Sequence, residues 1–330
     1  MKLLRPLFSL RSPAGANGRL SILIFHRVLP APDPLFPGEA DAARFDRICG
    51  WLAALFNVLP LDRAVEHLRA GSLPARAAAI TFDDGYADNR TVALPILQRH
   101  GLTATFFIAT GFLDGGRMFN DSVIEALRRT SLPQIDLRDL GLGLDAALAL
   151  DSDMARRTAI DSVLRAVKYL PQTRRQAVVD ELAQRCAVAL PDELMMSSAQ
   201  VRELRAAGMG IGAHTRTHPI LAKLSTEDAR AEIAGGRRDL EQLLGERIGL
   251  FAYPNGRPGE DYHAGTAALV RELAFDAAVT TAWGAADSSC DRHQLPRFSP
   301  WDRSALRFGW RLLGNLSRSP TAAPPACCTS

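Results

Sequence analysis

Two pairs of residues, far apart in the sequence, have the side chains that a hydrolytic metal site needs. Asp83 and Asp84 are adjacent and follow an apolar run, and His214 and His218 lie four residues apart much further along the chain. One carboxylate and two imidazoles can hold a divalent ion with a position left open, while the second carboxylate stays free beside it. An acidic pair alone could form a turn or cap a helix, and a lone histidine is usually structural. The four residues together predict metal-assisted hydrolysis.

The segments that must position these residues alternate short apolar runs with amphipathic stretches. The apolar runs predict buried strands at residues 20–25, 77–82, 105–109, 209–213, 250–253 and 277–280. Between them, stretches such as 44–56, 92–100 and 228–244 have the apolar spacing of helices. This alternation predicts an α/β fold with a mainly parallel sheet or barrel. Both residue pairs follow a predicted strand, so we expect them at the carboxyl ends of the strands, where such folds place their sites.

The motifs around these residues resemble those of the polysaccharide deacetylases, the NodB-homology enzymes of carbohydrate esterase family 4. Residues 81–85 resemble the first motif of the family and residues 214–218 the second, with further similarity at 104–107 and 251–256. The resemblance covers about residues 20–298, and within the family it is strongest to the exopolysaccharide poly-N-acetylglucosamine deacetylase branch. It implies a distorted (β/α)7 barrel and hydrolysis of N-acetyl groups from a glycan.

The resemblance also implies a role for each motif residue. Asp84, His214 and His218 would hold the metal, and Asp83 would be the general base that takes a proton from the attacking water. Backbone amides near Asn255 would stabilise the developing oxyanion. Zinc suits one carboxylate and two imidazoles, and cobalt, nickel and iron fit the same donors.

The chain departs from the family pattern in the third motif and near the last strand. Ala252 stands where many members have an arginine that orients the catalytic aspartate, and we predict that Arg297 replaces it. No histidine follows Leu295 in the place of the usual late general acid, and His293 lies two residues earlier in a predicted loop. His26, at the end of the first strand, is our candidate to protonate or orient the leaving amine. A strand-end histidine without a catalytic part is the alternative.

Further residues near the predicted strand ends are candidates for binding the sugar. Tyr86, Tyr253, Asn255 and Trp283 form this set, although aromatic residues at a barrel rim more often serve packing. The neighbouring pair 88–89 is predicted to cap the helix that follows the first motif.

Three segments lie outside the barrel, which is assigned to residues 19–314. Residues 1–18 are predicted to be a flexible basic leader, with a weak basic surface anchor as the alternative, and residues 315–330 a disordered tail. The stretch at about 115–196 contains no convincing strand and is predicted to be a helical insertion, with helices at 121–129, 153–169 and 172–187. The insertion either shapes access to the site or only adds stability.

The composition excludes some kinds of function for this chain. The net charge of +3, from 39 basic and 36 acidic residues, is too balanced for nucleic-acid binding. No stretch approaches the roughly 18 consecutive apolar residues of a membrane span, so no transmembrane segment is predicted. Five cysteines without paired spacings, and an N-terminus without a sustained apolar stretch, predict a cytoplasmic protein with reduced thiols.

The sequence therefore predicts a metal-dependent N-deacetylase that acts on a bacterial exopolysaccharide or another cell-surface glycan. One alternative is hydrolysis of an O-acetyl ester or a small cyclic amide by the same site. Another is a glycan-binding protein that has lost catalysis, which the missing arginine and late histidine would suggest. The sequence leaves the oligomeric state open.

Overall fold

The structure is a computed structural model that describes residues 4–318. Within these residues the strands are β1 (Leu20–Phe25), β2 (Asn57–Val58), β3 (Ala77–Phe82), β4 (Thr105–Ile108), β5 (Gln134–Ile135), β6 (Leu148–Ala149), β7 (Gly210–Ala213), β8 (Leu250–Ala252), β9 (Ala277–Trp283) and β10 (Leu295–Arg297). The α-helices are α1 (Arg5–Arg11), α2 (Ala42–Leu55), α3 (Leu61–Ala70), α4 (Leu94–Arg99), α5 (Phe119–Arg129), α6 (Asp153–Val167), α7 (Gln172–Cys186), α8 (Ser198–Ala206), α9 (Thr226–Leu244), α10 (Ala264–Glu272) and α11 (Ala305–Asn315).

Seven strands form the wall of a barrel in the order β1, β3, β4, β7, β8, β9 and β10, and every neighbouring pair in this path is parallel. The short β2 pairs with the start of β3. Phe298, directly after β10, closes the wall: its N–H donates to the carbonyl of Ile22 at 2.7 Å, and its carbonyl accepts from Ile24 at 3.0 Å. This confirms the predicted distorted (β/α)7 barrel.

The strand side chains alternate between the barrel interior and the layer of helices. Both β1 and β3 are buried along their whole length, as expected for parallel strands covered on both faces. Phe82, the last residue of β3, stacks on Phe25 at 5.3 Å and on Phe106 at 4.8 Å across neighbouring strands. This phenylalanine stack fixes the carboxyl end of β3 at the point where the acidic pair begins.

The insertion is helical, as predicted, and has an apolar core of its own. Helices α5, α6 and α7 bury side chains such as Val123, Ile160, Val163, Val179 and Leu182 against one another. The structure adds a short antiparallel ladder, β5 with β6, which the sequence analysis did not predict. Strands of two residues are too short to produce a periodic signal.

The predicted flexible leader is wrong for the residues that the structure describes. Residues 5–11 form α1, and Phe8 is fully buried with its ring 5.0 Å from that of Phe56. Gly15 and Arg76 also donate backbone hydrogen bonds that tie residues 12–15 to the barrel. The polar, proline-containing composition concealed one buried aromatic side chain that anchors the segment. The predicted disordered tail is wrong where the structure describes it, because Asn315 ends α11 and Leu316 is buried, and residues 319–330 of the tail lie outside the described residues.

Replacing Phe8 with Ala tests whether α1 is part of the folded structure. We expect the free energy of unfolding to fall by about 3–5 kcal/mol, because a buried ring is lost and a cavity is left. Denaturant unfolding measures the change. Leu10→Ala is the matched control, since Leu10 is 77% exposed on the same helix, and it should change stability by less than about 0.5 kcal/mol. Equal effects of the two substitutions would contradict the docked helix.

Candidate metal centre

Three side chains from distant parts of the chain converge at the carboxyl end of the barrel. Asp84, His214 and His218 each present a ligand atom, and these atoms lie within 4.8 Å of one another. The Nε2 atoms of the two histidines are each 3.4 Å from Oδ1 of Asp84. Nδ1 of His214 lies 2.8 Å from the carbonyl oxygen of Ala252, a bond that turns Nε2 toward the carboxylate. The structure therefore brings together the three predicted metal ligands.

The carboxylate of Asp84 lacks a partner that would explain its burial. Within residues 4–318, its Oδ1 atom is buried and has no hydrogen-bond donor. The 3.4 Å separations from the imidazoles exceed ordinary hydrogen-bond lengths. A buried carboxylate oxygen without a donor is costly, and a cation between the three ligand atoms would remove that cost. One carboxylate and two imidazoles fit a divalent ion such as zinc.

The charges at this point favour a cation. Burial lowers the pKa of His218 to about 4, which keeps its imidazole in the neutral form that binds metals. Burial also works to lower the pKa of His214, but the nearby Asp84 carboxylate and the charge of Asp83 raise it above its ordinary value. The two carboxylates thus attract positive charge to the ring nitrogens.

The histidine loop, residues 214–218, reverses direction through strained backbone. Thr215 and His218 have φ values of 64° and 52°, and Asp84 has 76°, in the left-handed region that residues other than glycine rarely adopt. The Thr215 hydroxyl accepts from the backbone N–H of His218 at 3.1 Å. Glu232 on α9 accepts at 2.9 Å from two successive backbone N–H groups of the loop. Such strain typically accompanies functional sites, and here it returns His218 to Asp84.

Asp83 lines the same cavity as the three ligands and pairs with the buried Arg297. The two guanidinium nitrogens of Arg297 donate to the two carboxylate oxygens of Asp83, both at 2.7 Å, and both side chains are buried. Arg297 also donates to the carbonyl of Thr280 at 2.7 Å and to the hydroxyl of Thr81 at 3.2 Å. Burial alone would raise the pKa of Asp83, but Arg297 and then His214 lower it below the ordinary value. The predicted contact of Arg297 with Asp83 is present.

A cavity of about 320 Å³ opens above these groups. The two aspartates and the two histidines line it together with His26 and Asn255, so six of the predicted site residues share one space. The His26 side chain is exposed, and Asn255 has a φ of 58°. The carbonyl of Asn255 accepts from the Thr281 hydroxyl at 2.8 Å, which holds this loop against β9.

The backbone beside His26 is held by residues that the sequence analysis assigned to a helix cap. Asp88 makes no capping hydrogen bond; it accepts from Arg27 at 2.8 Å and from the backbone N–H of Val28 at 3.1 Å. Asn89 donates to the carbonyl of His26 at 2.8 Å. The capping prediction is therefore wrong, because this pair fastens the loop after β1 over the first motif.

Two tyrosines predicted to bind sugar are buried and already have partners. Tyr86 donates its hydroxyl to Asp121 at 3.0 Å, and burial raises the pKa of that carboxyl to about 7. Tyr253 is fully buried, stacks on Tyr262 at 3.9 Å and donates to the carbonyl of His293 at 2.8 Å. Neither ring is accessible for stacking on a sugar, so both predictions are wrong.

Trp283 and His293 also lie outside the cavity. Trp283 packs against Phe298 at 6.0 Å and Trp301 at 5.1 Å, so its prediction as a sugar-binding residue is not supported. His293 is buried, with Nε2 2.9 Å from the carbonyl oxygen of Phe275. Because Phe275 precedes β9, His293 belongs to the opposite end of the barrel from the metal ligands.

The insertion supplies the part of the cavity wall that sequence reasoning missed. Met118, Phe119 and Asn120 come from the start of α5, and Leu164 and Lys168 from the end of α6. Ile220 and Thr281 complete the lining. No local pattern signals these positions, because they reach the site through the packing of the insertion on the barrel. Of the two functions left open for the insertion, shaping the site is the one that this geometry supports.

The model of the polysaccharide deacetylase family matches residues 70–132 and 160–278, and the gap between the two stretches falls within the insertion. No curated protein sequence matches the chain.

Several solved structures are similar to this one. They include the Streptococcus pyogenes deacetylase PplD in complex with acetate (TM-score 0.59, 19% identity, 91% of this chain and 99% of that chain covered). IcaB from Ammonifex degensii gives a TM-score of 0.55 at 18% identity, covering 90% of this chain and 98% of that chain. A de-N-acetylase from Aggregatibacter actinomycetemcomitans gives 0.54 at 16% identity, covering 85% and 94%. At these identities the similarity shows a shared fold.

Replacing Arg297 with Met tests the buried pair. We expect a loss of about 3–5 kcal/mol in the free energy of unfolding at pH 7, because Asp83 would stay buried without its counter-charge. The pKa of Asp83 should rise toward and above its ordinary value, so the acid limb of the pH–rate profile should move to higher pH. Denaturant unfolding and a pH series of kcat/KM measure the two effects.

The double variant Asp83→Asn with Arg297→Met is the control for the stability effect, and it should recover part of the loss because no buried carboxylate remains. Arg297→Lys keeps the charge without the paired geometry and should lie between wild type and Arg297→Met. An unchanged stability and acid limb in Arg297→Met would contradict the assigned role of the pair.

Proposed function

The chain belongs to the polysaccharide deacetylase family, and we propose that it removes N-acetyl groups from a bacterial surface glycan with a divalent ion held by Asp84, His214 and His218. Family membership makes it a hydrolase of amide bonds with a glycan substrate. One observation carries the proposed metal dependence: a buried, donor-free oxygen of Asp84 lies 3.4 Å from two imidazole nitrogens. The ion is most simply zinc, given these donors.

The two aspartates divide the chemistry between them. When bound, the ion supplies Lewis acidity that polarises the acetamide carbonyl and lowers the pKa of a water molecule. Asp83, kept ionised by Arg297, takes the proton from the attacking water. The paired hydrogen bonds from Arg297 also fix the plane of the Asp83 carboxylate. The lone pairs that Arg297 does not use therefore have a fixed direction. This contact supplies the orientation that Ala252 cannot, and it weakens the case for a protein that has lost catalysis.

His26 is the residue that we assign to the leaving amine. Breaking the carbon–nitrogen bond requires a proton on the departing nitrogen, and histidine is the most frequent general acid in enzymes. His26 lines the cavity with Asp83, and its exposed ring can exchange protons with solvent. The hydrogen bond from Asn89 to its carbonyl fixes the backbone that carries the ring.

The cavity itself indicates how the substrate binds. At about 320 Å³ it lies at the small end of ligand pockets, which suits one N-acetylated sugar residue with the rest of the glycan outside. Backbone amides near Asn255 would stabilise the oxyanion, as the motif implies. Asn120 and Lys168 offer polar contacts to sugar hydroxyls from the insertion side, and Phe119 offers an apolar one.

The proposed reaction does not depend on where the protein is located or on whether it contacts a membrane. The cytoplasmic location predicted from the sequence stays a prediction. Across residues 4–318, no helix is both long enough and apolar enough to cross a bilayer.

Acetate release from N-acetylglucosamine oligomers tests the proposed reaction. We expect activity to disappear after chelation and to return with added zinc or cobalt. Asp83→Asn should lower kcat by about 10²–10⁴-fold, the usual contribution of a general base, while the metal content stays at one ion per chain. Asp136→Asn, at an exposed position on the insertion, is the control and should behave as wild type. Full activity in the chelated protein or in Asp83→Asn would sink the proposal.

The role of His26 has its own test. His26→Ala should lower kcat by about 10²-fold with little change in KM or metal content, since the residue acts on the leaving group. His67→Ala, on the distant helix α3, is the matched control. If His26→Ala deacetylates normally with its metal bound, the histidine is only a strand-end residue.

A further inference from the structure

Helices α1 and α11 lie side by side on the outside of the barrel. A Cβ placed on Gly309 of α11 would lie 3.0 Å from Leu4, directly before α1, and Arg11 at the end of α1 donates to the hydroxyl of Ser317. The two helices therefore run in the same direction. Each buries one face against α2 and the residue that follows it, since Phe8 packs on Phe56 and Phe308 on Trp51. Their opposite faces point outward together.

These outward faces carry apolar side chains that the rest of residues 4–318 leaves exposed. Of the seven large hydrophobic side chains that are exposed within residues 4–318, four lie on these two short helices. They are Leu7 (43% exposed), Leu10 (77%), Leu306 (67%) and Trp310 (62%), and we call them the terminal-helix face. Leu7 and Leu10 are three residues apart and Leu306 and Trp310 four, so each pair shares one side of its helix.

The charged residues of the two helices and of the residues that flank them are all arginines. Residues 4–18 and 303–318 contain no aspartate or glutamate, although the chain has 36 acidic residues in total. Four exposed arginines accompany the face: Arg11, Arg303, Arg307 and Arg318. The acid nearest in sequence, Asp302, is buried; it pairs with Arg311 and also lies 3.4 Å from the guanidinium of Arg307, so the face keeps a net positive charge. Leucine and tryptophan flanked by arginine are the residues of helices that lie in a membrane interface.

We propose that the terminal-helix face docks the protein on the surface of an anionic lipid bilayer. The apolar side chains enter the boundary between head groups and acyl chains, and the arginines contact lipid phosphates. A second copy of this chain fits the face poorly, because a symmetric contact would bring a further set of arginines against the first with no acid between them. This inference goes beyond the proposed function and does not depend on it.

Vesicle sedimentation with the full chain tests the proposal. The protein is mixed with vesicles of phosphatidylcholine alone, or of phosphatidylcholine with about one third phosphatidylglycerol, at low and high salt. We expect binding to the anionic vesicles, weakened by salt, and little binding to the neutral ones. The double variant Leu10→Gln with Trp310→Gln should lose at least about tenfold in binding to anionic vesicles. Arg307→Glu should lose roughly tenfold as well.

Tyr169→Gln with Met154→Gln is the matched control, because these side chains are equally exposed (68% and 79%) but lie on the insertion. It should bind vesicles as wild type does. Unchanged thermal unfolding and acetate release from soluble oligomers would show that each variant is folded. The proposal is overturned if wild type stays in the supernatant with anionic vesicles, or if the double variant binds like wild type. A third result would also overturn it. In that case wild type does not bind vesicles, and light scattering shows a dimer of wild type and of the control variant that is absent in the double variant.

Discussion

The site depends on how the negative charges of two adjacent buried carboxylates are balanced by positive charge. Asp83 and Asp84 are both almost inaccessible to solvent, and two such charges side by side are unstable unless each has its own counter-charge. Arg297 provides it for Asp83 through two hydrogen bonds of 2.7 Å. Within residues 4–318, Asp84 has only the two imidazole edges at 3.4 Å, which leaves one buried oxygen without a donor. A divalent ion completes the balance, and the asymmetry between the aspartates becomes a division of labour between ligand and base.

The barrel stabilises the strained backbone that carries the metal ligands. Left-handed backbone at Asp84, Thr215 and His218 costs of order 1–3 kcal/mol per residue, and it persists only where the surroundings determine it. Here the surroundings are buried strands beneath the loops and Glu232 on α9, which binds the histidine loop from behind. The closure of β10 on β1 has a second consequence, because it carries Arg297 across the barrel to Asp83.

Features that depend on residue type and local pattern were predictable from the sequence, and features that depend on packing were not. The apolar runs located the barrel strands, and the residue types located the metal ligands and the Arg297 contact. Tyr86 and Tyr253 were misassigned because nearness to a motif does not fix the direction of a side chain. The insertion wall and the helix α1 were missed for a related reason: the lining from α5 and α6, and the burial of Phe8, arise only when distant segments meet.

Anomalous diffraction from crystals grown with zinc tests the central claim most directly, because it locates the ion without reference to activity. Our account predicts one strong peak per chain at the zinc edge, bonded to Oδ1 of Asp84 and to Nε2 of His214 and of His218, with Asp83 unbound and still paired with Arg297. A map without a peak at these three atoms, or with Asp83 as the ligand instead of Asp84, would contradict it.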